Sequence, residues 1–139
     1  MSEGVRGLII SHSSLGEGMA AAVRKITGVG EEALGSISNE GRGPEALMEA
    51  IRQSVGDVPV VLFTDLGGGS CAFAARKIAA QRPGTALICG VNLPTLLDFV
   101  FHRELPLSEL VERLIDAGRS GITGTCTEEA AGADHTAAS

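Results

Sequence analysis

The chain has 139 residues, 44% of them hydrophobic and only 3% aromatic, with no Trp or Tyr and a formal net charge of −6. That length suits one domain able to bury about two-thirds of its unfolded surface. The negative charge and the lack of stacking side chains exclude a nucleic-acid backbone as the expected partner.

No apolar run approaches the roughly 20 residues of a membrane span, and Met1-Ser2-Glu3-Gly4 lacks the basic start of an export signal. Cys71, Cys89 and Cys126 are odd in number and form no CxxC pair, which reads as cytosolic thiol usage rather than a disulfide or zinc framework. A cytoplasmic protein without membrane insertion is expected.

In chain order, Val5 to Ser11 reads as a first strand. His12 follows it directly, at the carboxyl end where open α/β sheets place ligands. Ser14-x-x-Glu17 predicts a capping box opening a helix, with Met19, Ala22, Val23 and Ile26 as its apolar stripe and Gly28 as its stop. Leu34 to Ser38 predicts a second strand near a sheet edge, and Asn39 to Gly43 a loop. Pro44 opens a second helix carrying Leu47, Ile51 and Val55 and ending at Gly56. Val58 to Thr64 is nearly continuous Val, Leu and Phe, as a central parallel strand requires. Ser70 is expected to cap a helix reaching Gln81; Pro83-Gly84 then turns the chain into a fourth strand, Thr85 to Cys89. Pro94 starts a fourth helix and Ser108 to Gly118 forms a fifth, with a short last strand within Gly121 to Thr127.

The alternation predicts a three-layer, doubly wound α/β fold. A mainly parallel sheet of four strands carries helices on both faces, plus a short C-terminal antiparallel strand. One domain covers residues 1–127, and the Ala-rich stretch 128–139 reads as a disordered tail.

Three familiar motifs can be set aside. Gly16-Glu17-Gly18-Met19-Ala20-Ala21 matches a dinucleotide fingerprint, but four residues separate it from the strand, so its glycines fall inside the helix. Asp65 resembles the acceptor of response-regulator receivers, yet the acidic pair and the lysine of that site are missing. No G-x-x-x-x-G-K-[ST] occurs, so ATP is not an expected phosphate source, and neither metal nor cofactor is called for.

His12 and Asp65 remain, with Thr64 before the carboxylate and Gly67-Gly68-Gly69-Ser70 after it. A neutral imidazole offers one nitrogen lone pair, and a carboxylate on the other N–H selects which. A glycine turn feeding a helix N-terminus presents backbone N–H groups to phosphate oxygens. Alone, His12 would read as bonded to a loop carbonyl and Asp65 as a helix cap; three populated strand ends together favour chemistry. Asn92 is read as bonding backbone at the fourth strand's turn. Leu15, Met19, Leu66 and Leu93 are candidates for an apolar rim, Cys71 for a small packed residue, and His102 for the surface.

Gly7-Leu8-Ile9-Ile10-Ser11-His12, Phe63 to Ser70 and Gly90-Val91-Asn92-Leu93-Pro94-Thr95-Leu96-Leu97 resemble three signatures of the mannose/fructose/sorbose-family IIA components of the bacterial phosphoenolpyruvate-dependent sugar phosphotransferase system. The likeness covers about residues 5 to 127. It implies that His12 takes a phosphoryl group from the phosphohistidine of the carrier HPr and passes it to a IIB component. Asp65 would orient the ring and Ser70 place a hydroxyl near the phosphate. It also implies a homodimer, with a late strand that can be exchanged between subunits.

Family members usually have glycine where Ser13 stands, and often a bulky residue and a proline where Gly67 and Cys71 stand. A phosphoryl-donor subunit of dihydroxyacetone kinase, which shares the site, and a regulatory module without transport remain open readings.

Overall fold

The computed structural model describes residues 4–128 and the backbone of a strand at 133–136. In order the elements are β1 (Arg6–Ser11), α1 (Leu15–Thr27), β2 (Leu34–Ser38), α2 (Pro44–Val55), β3 (Val60–Thr64), α3 (Gly69–Gln81), β4 (Thr85–Cys89), α4 (Leu93–Phe101), α5 (Leu107–Ser120), β5 (Thr123–Cys126) and β6 (Ala133–Thr136). The four central strands are all parallel in the order β2-β1-β3-β4, while β5 and β6 form a separate antiparallel ribbon. The expected α/β architecture is therefore found.

Strand alternation splits the interior in two. Leu8, Ile10, Val60 and Leu62 face α2 and α3, meeting Leu47, Ile51, Ala74 and Ile78. Ile9, Val61 and Phe63 face the other way, toward Ala20 and Val23 of α1, Leu96 and Phe99 of α4, and Leu110 and Leu114 of α5. Every residue of β3 is buried, as a run without polar alternation requires of a middle strand. Phe63 and Phe99 meet edge to face with ring centroids 5.3 Å apart. Gly7 makes room for that ring, since a Cβ there would lie 2.6 Å from Phe99 Cε2.

Several local expectations are corrected. The capping box does not form: Ser14 makes no side-chain cap, and the buried Ser11 hydroxyl instead accepts the Gly16 N–H at 2.7 Å. Gly28 does end α1, at φ 83. The buried stripe of α1 is Gly16, Ala20 and Val23, with Met19 packed against it; Ile26 lies to the side of that stripe and is exposed. Gly68, not Ser70, is the N-cap residue of α3, and Ser70 stands inside its first turn. The first and third strands begin one and two residues later than expected. The fifth helix runs one residue further toward the N-terminus and two further toward the C-terminus.

His102 is half-buried at the α4 C-terminus, where its Nδ1 lies 2.9 Å from the Asp98 carbonyl. Within the stretch read as a tail, 133–136 form β6, and residues 129–132 and 137–139 lie outside the described residues. Among the described residues, no helix is long and apolar enough to cross a membrane.

The strand order decides where a site can sit. The chain steps from β1 outward to β2, then returns to place β3 on the opposite side of β1. The carboxyl ends of β1 and β3 therefore flank the switch point, where connecting loops diverge and leave a crevice.

Candidate functional site

Register brings the two chemical residues level. Ile10 pairs with Thr64, so His12, two residues on, and Asp65, one residue on, leave the sheet side by side. Oδ2 of Asp65 accepts the backbone N–H of His12 at 2.9 Å and lies 2.9 Å from its ring Nδ1. Oδ1 accepts the Leu66 N–H at 3.0 Å. The Asp65 carboxylate is 6% exposed and the imidazole 40% exposed, a fixed acceptor beneath an open ring. Burial works to raise the Asp65 carboxyl, but the His12 backbone N–H, the ring hydrogen bond and the charge of the ring outweigh it, and the net displacement is downward.

With Nδ1 held by a carboxylate, the proton belongs on Nδ1 and the lone pair on Nε2. That nitrogen faces the start of α3: a Cβ on Gly69 would lie 3.5 Å from His12 Nε2. Gly69 sits at φ 87, a conformation that favours glycine. Space beside Gly67 and Gly68 is open, with nothing within 4 Å of a Cβ at either. First-turn amides of a helix have no intrahelical acceptor, so those of Gly69, Ser70 and Cys71 are available to an anion on Nε2.

The other expected residues divide. Thr64 is buried, and its hydroxyl donates to the Leu66 carbonyl at 2.7 Å, bracing the turn rather than reaching the ring. Ser13 has φ 53, the left-handed region where the resemblance expects glycine. Its N–H donates to Asn39 Oδ1 at 3.2 Å and its hydroxyl to Glu40 at 3.4 Å. Asn92 caps α4, accepting from the Thr95 N–H and hydroxyl, and donates to the Gly118 carbonyl of α5. It bonds backbone as expected, its partners being Thr95 of α4 and Gly118 of α5.

Asn39 escaped the sequence reading. Read as a loop residue, it links the N–H of Ser13 to the Ser70 hydroxyl, to which its Nδ2 donates at 3.4 Å. Ser70 Oγ is the acceptor in that contact, and its side chain also reaches the neighbouring Cys71 thiol. Arg76 was also missed; it donates to the Gly67 carbonyl at 2.7 Å and ties the glycine turn to α3. Leu15, Leu66 and Leu93, all exposed, stand at the start of α1, beside Asp65 and at the start of α4, while Met19 is packed into the core.

A family model described as the PTS system fructose IIA component matches residues 7–115, from β1 into α5. The chain belongs to that family. Over 80 residues it is 34% identical to the PTS system fructose-specific EIIA component of Bacillus subtilis (strain 168), a match covering 54% of this chain and 55% of the relative. The chain thus spans about half the length of the curated relative it matches.

A solved phosphotransferase system component EIIA from Streptococcus agalactiae superimposes with a TM-score of 0.78 at 22% identity, covering 85% of this chain and 95% of that one. The mannose/sorbose specific IIA subunit from Enterococcus faecalis gives a TM-score of 0.75 at 25% identity, covering 93% and 100%. The IIA family span takes in both strand ends at the switch point, His12 and Asp65 included.

Proposed function

We propose that this IIA-family chain is a cytoplasmic phosphocarrier that accepts a phosphoryl group on Nε2 of His12 and hands it on. The observation that carries the reading is the single orientation of the ring, with Nδ1 on Asp65 and Nε2 toward the amides that open α3.

The Nε2 lone pair attacks the phosphorus of a phosphohistidine on an HPr-like carrier. The donor P–N bond breaks and its electron pair returns to the donor imidazole. His12 becomes an imidazolium that keeps Nδ1–H, and the Asp65 carboxylate offsets its charge. The α3 amides and the Ser70 hydroxyl donate to the phosphoryl oxygens. Transfer between two histidines is close to balanced in energy, so alignment dominates. The same steps run in reverse roles toward a IIB component during sugar uptake. The exposed Leu15, Leu66 and Leu93 offer an apolar rim on which both partners can dock in turn.

We assign Gly67, Gly68, Gly69 and Ser70 to the phosphate cradle and Ser13 and Thr64 to its support. Residues 1–127 form the phosphotransferase domain. The working unit is a twofold homodimer: β4 lies at a sheet edge, and the fully exposed β5 is a strand able to pair there.

Incubation with phosphoenolpyruvate, enzyme I and HPr, followed by intact mass under non-acidic conditions, tests acceptance. One acid-labile phosphoryl group on the wild type and none on His12→Ala is expected. Label that persists in His12→Ala overturns the assignment.

A further inference from the structure

We propose that His12, Asp65 and Cys71 form a site for one thiophilic divalent cation of the zinc class, and that cation binding and phosphoryl acceptance at His12 exclude each other. The second half rests on the phosphocarrier reading; the cation site does not.

Three donor atoms of three different elements converge here. A ring nitrogen of His12, a carboxylate oxygen of Asp65 and the sulfur of Cys71 all lie within 4.8 Å of one another. They come from the end of β1, the end of β3 and the first turn of α3. The carboxylate and the fully buried thiol are held by packing, while the imidazole is open on one side. A solvent molecule as fourth ligand would complete a tetrahedral set.

Bond lengths of about 2.0–2.1 Å to nitrogen or oxygen and about 2.3 Å to sulfur place tetrahedral donors roughly 3.3–3.6 Å apart. The present His12–Asp65 separation of 2.9 Å must open slightly, and the sulfur, within 4.8 Å of both partners, must close by no more than about an ångström. A thiolate in the set selects zinc-class ions over magnesium or calcium, which prefer oxygen alone. Without a cation, burial and the neighbouring Asp65 charge push the Cys71 thiol up. The family resemblance often puts proline at this position, so the sulfur is a departure of this chain.

The proton count explains the exclusion. A cation replaces the proton on Nδ1, which moves to Nε2, and the Cys71 thiol gives its proton to solvent. One proton is released for each cation bound. Nε2 then carries hydrogen and has no lone pair for phosphorus. Conversely, phosphorylated His12 keeps Nδ1–H against Asp65 and offers that nitrogen to no metal.

Cobalt(II) is the probe, on the full chain carrying Cys89→Ser and Cys126→Ser so that Cys71 is the one thiol left. One equivalent should produce a thiolate-to-cobalt charge-transfer band and release one proton. Adding Cys71→Ser or Cys71→Ala should abolish the band and weaken binding by roughly tenfold or more. A folded Cys89/Cys126 variant without the band, or a band that survives loss of Cys71, overturns the site.

Saturating zinc should suppress phosphoryl acceptance from phospho-HPr in proportion to the fraction of chain it occupies, reversibly with a chelator. An unchanged rate overturns the exclusion. A chain that binds cobalt as described yet never accepts phosphoryl upholds the site and contradicts the carrier reading.

Discussion

Asp65 carries two burdens at one residue: it holds the His12 loop through a backbone N–H and the His12 ring through Nδ1. Asp65→Asn keeps the shape but not the charge, and an amide can present N–H where the ring needs an acceptor. Single-turnover transfer from phospho-HPr should fall on the order of 10²-fold while the thermal transition survives. An unchanged rate would reduce Asp65 to a turn residue. Its carboxyl is lowered in the folded state, so its contribution to stability is complete above the unfolded value of about 3.9. That contribution disappears as pH falls through the lower folded value. Urea midpoints should therefore drop below about pH 4 in the wild type, with a shallower drop in Asp65→Asn. Ser13, at φ 53, tests local strain. Ser13→Val should cost about 1–2 kcal/mol in urea unfolding, because a β-branched side chain fits that conformation poorly. Ser13→Gly should stay within about 1 kcal/mol of wild type, relief of strain being opposed by the entropy of the unfolded chain.

At the scale of elements, the two glycines of α1 give opposite expectations. A Cβ on Gly16 would lie 2.6 Å from Ser11 Oγ and 3.0 Å from Ile9 Cγ2, whereas one on Gly18 meets nothing within 4 Å. Gly16→Ala should destabilise by about 1–3 kcal/mol. Gly18→Ala should stabilise by about 0.5–1 kcal/mol, as alanine does inside an exposed helix. Chemical denaturation of both decides it, and equal signs would contradict the packing described. The same helix shows how far sequence reading reaches. Its existence, its Gly28 stop and the strand before it follow from periodicity and glycine chemistry, which are local. Its cap was misread because Ser11, a buried strand residue, competes for the Gly16 N–H, and local pattern does not reveal where a strand hydroxyl points. Ile26 was misplaced because the stripe that is buried runs through Gly16, Ala20 and Val23, and Ile26 falls on its flank. His12 and Asp65 were legible because each directly follows a strand. Asn39 was not, since its two partners lie 26 and 31 residues away and only register joins them.

At the scale of the molecule, the order β2-β1-β3-β4 accounts for the position of the site, and the exposed β5 accounts for the proposed assembly. A half-open cavity of about 320 Å³ lined by Leu87, Cys89, Asn92, Ile115, Arg119 and Ile122 runs beside β4, leaving mixed apolar and polar surface next to an edge strand. Truncation before Gly121 should weaken dimerisation in sedimentation runs and leave His12 chemistry partly intact. A full-length monomer at micromolar concentration would end the dimer proposal.

The central claim is that the His12 ring is held in one tautomer so that Nε2, and no other nitrogen, takes phosphoryl. Nitrogen-15 NMR of the imidazole, recorded before and after reaction with phosphoenolpyruvate, enzyme I and HPr, tests it most directly. The account predicts Nδ1–H against Asp65 in both states and phosphorus bonded to Nε2 after reaction. Phosphorus on Nδ1 of His12, or on the ring of His102, would contradict it.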